Sequence, residues 1–376
     1  MNKLRGPIRS VKLITLLLAQ VLLAGCQVNV MKANVPMCSR YFVDAHSQVE
    51  KFIDPDSGSE NEMTVDKIRN FILQKMQSAK VAYSILYPRA GQNQGTIVDI
   101  SNPPPETKLI YPASIYPGIA VKGDNYKSLQ KRLGSEKFYG LGEVLLYHAE
   151  KSSISAPQVR RYPSDPWVQA IYREAKEKEW PFIVHIEDAK MAADDAETQK
   201  MMYEELCRVG LQFGGAEAHR IFDIDCPNLD QDELDMTDHP VVFIHMAQLP
   251  PDRVEWILDN NDKVHFMISH SNPITARRSQ QPWINMFSNG ELSPSWGRLL
   301  KKYPKRFIFA LDNVTQEHWT EDYEEIVELW EKALKRLPDE VADAVAHGNA
   351  ERLWGLPPTC YMAFPNIFTQ QDFPYP

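Results

Sequence analysis

Several side chains able to bind a cation or move a proton stand at the ends of short apolar runs. Asp44-Ala45-His46-Ser47-Gln48 closes the run that begins at Tyr41, His185 and Glu187 close Pro181–Ile186, His245 lies at the end of Val241–Met246, and Asp312 follows Arg306–Leu311. Glu143 lies in Phe138–Leu146, after Gly140-Leu141-Gly142, and His270 follows Val264–Ser269. Side chains alternate along a strand, so Asp44, His46 and Gln48 are expected on one face and Val43, Ala45 and Ser47 on the other. If the runs are strands of one sheet with their ends together, three imidazoles and two carboxylates converge. Such a cluster is costly without a counter-ion, and a divalent metal is the simplest compensation. A cation of that kind polarises a carbonyl and lowers the pKa of a bound water. A carboxylate opposite it accepts the proton.

The elements that must position these residues are legible. The apolar runs are Tyr41–Ala45, Lys80–Tyr87, Ile115–Val121, Phe138–Leu146, Pro181–Ile186, Val241–Met246, Val264–Ser269 and Arg306–Leu311, each rich in Val, Ile, Phe or Tyr. Amphipathic stretches between them read as helices: Val65–Ser78, Asp124–Leu133, Pro166–Lys178, Thr198–Val209, Pro251–Asp259, Ser293–Lys302 and Glu321–Leu337. Strands alternating with helices imply βαβ units and a parallel sheet. Eight strands point to an α/β fold of the closed (β/α)8 type, the TIM barrel, whose loops after the strands build the active site. No Gly-x-Gly-x-x-Gly fingerprint, internal repeat or low-complexity segment argues otherwise. The stretches 147–165 and 187–240 are long for barrel loops after strands four and five, and read as lid and pocket material.

The order of these residues resembles the amidohydrolase superfamily. That pattern has Asp-x-His-x-His on strand one, a Lys or Glu on strand four, His on strands five and six, and Asp on strand eight. The flanking text is similar to the branch that includes aminocarboxymuconate-semialdehyde decarboxylase, on Asp238-His239-Pro240-Val241-Val242-Phe243-Ile244-His245, Arg306-Phe307-Ile308-Phe309-Ala310-Leu311-Asp312 and Gly348-Asn349-Ala350-Glu351-Arg352-Leu353-Trp354-Gly355. The resemblance spans Tyr41 to Gly355. It implies that His46, His185 and Asp312 bind metal, with Asp312 alternatively the base. It implies that Glu143 is a further ligand or a bridge between two metals, and that His245 is a ligand or polarises the substrate. Asp44 would orient a ligating imidazole. The metal expected is zinc, with manganese or iron as alternatives. The expected partner is a small-molecule substrate, and members of this family often pair, which leaves room for a homodimer. The activities implied are hydrolysis of an amide, ester or lactone, or decarboxylation of a small acidic substrate.

The second histidine of the first motif is Gln48 here. An amide oxygen is a poorer zinc ligand than imidazole. A harder metal, compensation by Glu143, or a barrel whose catalysis has lapsed into binding all follow as readings. His148, His219, His239, His265, His318 and His347 read as hydrogen-bonded structural residues. Glu187 shares the face of His185. Arg160-Arg161 and Arg277-Arg278 read as solvated pairs.

Residues 1–25 read as a signal segment: a basic start, an apolar Leu13–Ala24, then Leu23-Ala24-Gly25-Cys26, which resembles the bacterial lipobox. Residues 26–39 would be a lipidated cysteine and linker, 40–358 the barrel, and 359–376 a tail along its base. A lipid on Cys26 would hold the protein at the bacterial envelope, at the outer membrane facing the periplasm. The net charge of −9, with no basic stripe, argues against nucleic acid. Of five cysteines, four remain after the lipid; the pairings favoured are Cys38 with Cys360 and Cys207 with Cys226.

Overall fold

Runs of β-branched and aromatic residues form eight parallel strands: β1 Phe42–Val49, β2 Val81–Pro88, β3 Ser114–Pro117, β4 Val144–His148, β5 Phe182–Ile186, β6 Val241–Phe243, β7 Val264–Met267 and β8 Phe307–Ile308. The structure is a computed structural model and describes residues 41–50, 52–54, 62–89, 94–101, 113–121, 126–134, 138–151, 157–226, 234–279 and 281–359. The chain divides at Ser39 into two units, and everything described belongs to the second. Cys26, Cys38, Cys360 and the tail beyond Thr359 lie outside the described residues, as does the expected lipid. No described helix is long and apolar enough to cross a membrane.

The pairing order is β1–β2–β3 in one set and β8–β7–β6–β5–β4 in the other, all parallel, with the two-residue strand Val159–Arg160 antiparallel on the end of β4. Backbone hydrogen bonds join the two sets at both edges. Ile119 N donates to Gly140 O at 3.0 Å and Gly142 N to Ile119 O at 2.8 Å, beyond β3 and before β4. Ala45 N donates to Phe309 O at 3.2 Å, Asp312 N to His46 O at 2.7 Å and Gln48 N to Asn313 O at 2.9 Å, between β1 and the segment after β8. The ring is therefore closed, and the expected (β/α)8 barrel is the fold.

Two apolar layers hold it. Val43, Ala45, Tyr83, Ile85, Tyr87, Ile183, Val242, Ile244, Met267 and Ile308 fill the interior, with Leu353, Trp354 and Leu356 packed into the same cluster. A larger cluster lies between the strands and the surrounding helices. Helix Val65–Ser78 shows how the sequence builds that outer ring. Thr64 Oγ1 accepts from Lys67 N at its start, and Ile68, Ile72, Leu73 and Met76, spaced at three and four, are buried. Tyr87 fills the interior so closely that a Cβ on Gly118 would stand 2.1 Å from its ring.

Three expectations change. Strand four is Val144–His148, not Phe138–Leu146: Gly140 and Gly142 offer no side chain to pack, a Cβ on Gly140 would meet Trp354 at 2.8 Å, and the backbone there bonds to residue 119. The insertion after β5 holds three helices, Asp188–Asp194, Ala196–Arg208 and Ala216–Phe222, where one was expected. Helices Gln94–Ser101 and Pro273–Arg278 are also additional; six to eight residues give too short a hydrophobic pattern to read. Cys207 and Cys226 form the expected disulfide, with Cα atoms 5.1 Å apart, and tie Ala196–Arg208 to the segment after Ala216–Phe222.

Candidate metal and catalytic site

The strand ends bring His46, Glu143, His148, His185, Glu187, His245, His270 and Asp312 to one mouth. β1 does not alternate strictly. A register shift between Asp44 and Ser47 sets Ala45 and His46 opposite the single residue Ile85. Val43 and Ala45 face the barrel interior, and after the bulge His46 faces inward too, its ring 4.7 Å from that of Tyr87. Asp44 is thereby turned to the other face. Its carboxylate accepts from Ser47 Oγ at 2.6 Å, Ser84 Oγ at 3.0 Å and Leu311 N at 2.9 Å. It contacts the backbone N–H of His46 at 3.4 Å, not the ring, so the expected orienting role is replaced by a tie between β1, β2 and the end of β8. Burial pushes this carboxyl up to about 6, against the hydrogen bonds that favour its ionised form.

On the β1 and β8 side, Asp312 is the hub. Gln48 Nε2 donates to Oδ1 at 3.0 Å, and His46 Nε2 lies 3.5 Å from the same oxygen. His245 Nε2 is 3.3 Å and His270 Nε2 3.5 Å from Oδ2. The two rings stack 4.4 Å apart, interplanar angle 3°. Burial and the neighbouring imidazole of His270 hold His245 well below its ordinary value, and burial lowers His270 as well. The backbone is bent to achieve this: His245, His270 and Asp312 have φ of 53°, 56° and 53°. Left-handed backbone at a non-glycine residue costs about 1–2 kcal/mol, and such strain gathers at functional sites.

On the β4 and β5 side, Glu143 Oε2 accepts from His185 Nδ1 at 2.8 Å, and Glu187 Oε1 lies 3.3 Å from His185 Nε2. Glu187 Oε2 accepts from Ala149 N at 2.8 Å, and Lys151 Nζ stands 2.7 Å from Oε1. Burial alone would lower His185, but the two carboxylates outweigh it and raise the ring to about 9. Burial likewise opposes the shift at Glu143, yet His185 brings that carboxyl down to about 2, and Glu187 is held well below its ordinary range. His148 closes β4 with its ring 5.3 Å from that of His185, and burial with the nearby His185 pushes it down to about 4.

Three groups have one ligand atom per residue within 4.8 Å of one another: Glu143, His185 and His245; His148, His185 and Glu187; and His245, His270 and Asp312. His46 Nδ1 and Nε2, His148 Nδ1 and His270 Nδ1 are buried without a hydrogen-bond partner among the described residues.

No family model matches the chain, and no curated protein matches it. Solved structures do. An uncharacterised TIM-barrel protein from Bordetella bronchiseptica is 12% identical, with TM-score 0.48, covering 84% of this chain and 99% of its own. An amidohydrolase from Burkholderia multivorans, solved with bound zinc, is 13% identical, with TM-score 0.46, covering 84% and 100%. An organophosphorus hydrolase mutant from Deinococcus radiodurans is 10% identical, with TM-score 0.45, covering 85% and 93%.

The structure thus brings together all the residues singled out as metal-binding or catalytic: His46, Gln48, Glu143, His185, His245 and Asp312. Gln48 turns its amide N–H, not its oxygen, to Asp312. His148, expected to be structural, stands at the mouth beside His185, because the fourth strand ends there. Glu187 is at the site. His219, His239, His265 and His347 keep the structural reading, bonded to Phe213 O, Trp180 O, Lys263 O and Glu351. Arg277 and Arg278 pair with Glu325 and Glu321, and Arg160 with Asp195. Trp283, which the sequence did not mark, covers the stacked pair, its ring 4.8 Å from His245 and 5.2 Å from His270. A cavity of about 440 Å³ lies elsewhere, lined by Tyr203, Phe222, Arg253 and Trp256 among others, and contains none of the three groups.

Proposed function

We propose that this chain is a metal-dependent hydrolase of the amidohydrolase type, directing water against an amide, ester or lactone of a small molecule. The observation that carries the reading is the set of buried, unpartnered nitrogen atoms around one mouth. Leaving such an atom unsatisfied costs about 1–3 kcal/mol, and a divalent cation relieves several at once. The donor set of imidazoles and carboxylates suits zinc, and also manganese or iron. His46, His185, Glu143 and Asp312 are candidates to hold it, with His148, Glu187, His245 and His270 within reach. When bound, the ion supplies Lewis-acid polarisation of a carbonyl and makes water more acidic.

The remaining work falls to this chain's own groups. Asp312 accepts the proton of water, its Oδ1 held by Gln48 and its Oδ2 beside two imidazoles. Ser269 Oγ lies 2.9 Å from His245 Nδ1; when the hydroxyl donates there, the His245 proton sits on Nε2, facing Asp312 and the mouth. That N–H is placed to bind oxygen charge developing on the substrate. Trp283 and Lys151, whose Nζ is 5.3 Å from the indole centroid, shield this centre.

The test is metal content of the full chain by elemental mass spectrometry, with a screen of amides, esters, lactones and small aromatic acids. One or two equivalents lost in His46→Ala or His185→Ala, with turnover lost in Asp312→Asn, supports the proposal. Carbon dioxide release without consumption of water would replace hydrolysis by decarboxylation in the same site. The Gln48 bond to Asp312 favours one other reading, a binding protein on a lapsed barrel; absence of metal and of any turnover would establish it. We propose further that a lipid on Cys26 holds the enzyme at the bacterial envelope. Incorporation of labelled palmitate, abolished in Cys26→Ser with release to the soluble fraction, is the expected outcome.

A further inference from the structure

We infer that the ion sits between the ends of β4 and β5, on His148, His185 and Glu187, and that Lys151 competes with it for Glu187. This inference rests on the reading of the protein as metal-binding, and moves the ion away from the β1 and β8 residues that the family resemblance implies.

The geometry of three atoms points there. His148 Nδ1 is buried without a hydrogen-bond partner among the described residues, His185 Nε2 and Glu187 Oε1 face each other with Lys151 on the carboxylate, and these three residues form a group whose ligand atoms lie within 4.8 Å of one another. His185 Nε2 and Glu187 Oε1 are 3.3 Å apart. Two ligands on a tetrahedral ion with bonds near 2 Å stand roughly 3.4 Å apart, so this pair is already set at the spacing an ion requires.

The surroundings aim these atoms inward. Glu143 Oε2 accepts from His185 Nδ1 at 2.8 Å, which sets Nε2 toward Glu187. A carboxylate behind a ligating imidazole fixes its tautomer and raises its basicity. Ala149 N holds Glu187 Oε2 at 2.8 Å and leaves Oε1 to the Lys151 ammonium or, in its place, an ion. Without a bound metal, His185 carries a proton on Nε2 toward Glu187 Oε1, and an ion in this place would displace that proton. Lys151 supplies the charge at hand: its Nζ is 2.7 Å from Glu187 Oε1, and its side chain is 13% exposed, so it can leave toward solvent. On the other side of the mouth, Asp312 Oδ1 is already engaged by Gln48. An ion at β4 and β5 leaves Asp312, His245 and His270 to handle protons.

The experiment uses the full chain, stripped of metal and titrated with Co²⁺ followed by visible absorption, then with Zn²⁺ followed by calorimetry. His148→Ala and Glu187→Gln are expected to weaken binding at least about tenfold. Lys151→Met is expected to tighten it about tenfold by removing a competing charge, a gain that misfolding does not produce. Asp312→Asn should stay within about threefold of the natural chain. Loss of binding in His46→Ala and Asp312→Asn with none in His148→Ala would overturn the inference while sparing the metal-dependent reading. Failure of the natural chain to bind either ion would overturn both.

Discussion

On the β1 and β8 side of the mouth, Asp312 is engaged at both oxygens, Gln48 donating to Oδ1 at 3.0 Å and His245 and His270 facing Oδ2 at 3.3 and 3.5 Å. On the β4 and β5 side, His185 Nε2 and Glu187 Oε1 face each other at 3.3 Å as an ion pair, with the Lys151 ammonium 2.7 Å from the same oxygen. The backbones differ in the same sense. His245, His270 and Asp312 adopt left-handed conformations, whereas His148 and His185 sit in strands at negative φ. One side spends strain to place a carboxylate beside two nearly neutral rings, an arrangement suited to taking a proton. The other keeps an unstrained scaffold and concentrates charge, an arrangement suited to holding a cation. Under the proposal, similar residue types divide into two jobs according to their hydrogen bonds.

The sharpest way to break this division is Asp312→Asn. The amide keeps the size of the side chain and still accepts from Gln48, but it no longer takes a proton. Turnover on whichever amide, ester or lactone the screen yields is expected to fall by about 10³-fold, with metal content unchanged. A fall of less than tenfold would remove Asp312 from the proton-accepting role.

Next in size is His185→Ala. It deletes the ring between two carboxylates, and Glu187 is fully buried. Removing one partner of a buried charge cluster costs about 3–5 kcal/mol. Urea denaturation of the metal-free protein at pH 7 is expected to show a loss of about 3 kcal/mol, given that Lys151 still pairs with Glu187. A loss under about 1 kcal/mol would mean that the charges are solvated and the two sides alike.

The barrel was legible because its strands are uniform in type and its helices amphipathic, and the site because each key residue closes a separate run. What escaped reading did so for local reasons. Strict alternation puts Asp44 on the face of His46, and a bulge is not visible in residue types. His148 was set aside because Gly140 and Gly142, which lie before β4, were counted within it. Trp283 belongs to an irregular segment whose placement depends on residues far along the chain. Short helices such as Asp188–Asp194 carry fewer than two turns of pattern.

The charged side of the mouth should also carry a pH signature. His185 is raised from 6.5 to about 9 by Glu143 and Glu187, against burial. A raised base stabilises the fold fully below pH 6.5, and that contribution is lost as the pH rises through 9. Glu143 is lowered from 4.5 to about 2, so its contribution is present above pH 4.5 and lost as the pH falls through 2. The metal-free protein is therefore expected to lose roughly 2 kcal/mol between pH 6.5 and 9. Zinc should flatten or reverse that slope, because binding requires the deprotonated ring. Melting temperatures at pH 6, 7.5 and 9, with and without zinc, check this. A metal-free curve that is flat over the window would show that His185 is not charged by its carboxylates.

The smallest effect concerns the tie behind the β1 and β8 side. Burial raises Asp44 from 3.8 to about 6, so the native state binds a proton more tightly than the unfolded chain. The sign is opposite to that of Glu143: stability falls as the pH rises from 3.8 through 6. Asp44→Asn removes the titration. Its amide oxygen still accepts from Leu311 N, and Ser47 and Ser84 rotate their hydroxyls to accept from the amide nitrogen. At pH 4 the variant is expected to be about 1 kcal/mol less stable than the natural chain, having lost well-matched hydrogen bonds. At pH 7 the natural chain carries a buried carboxylate and the amide does not, so the gap should close or invert. Denaturation of both proteins at the two pH values decides the matter. A constant gap would mean that Asp44 is ionised at no cost, and that the proton-handling side of the mouth rests on a charged support, as the metal-holding side does.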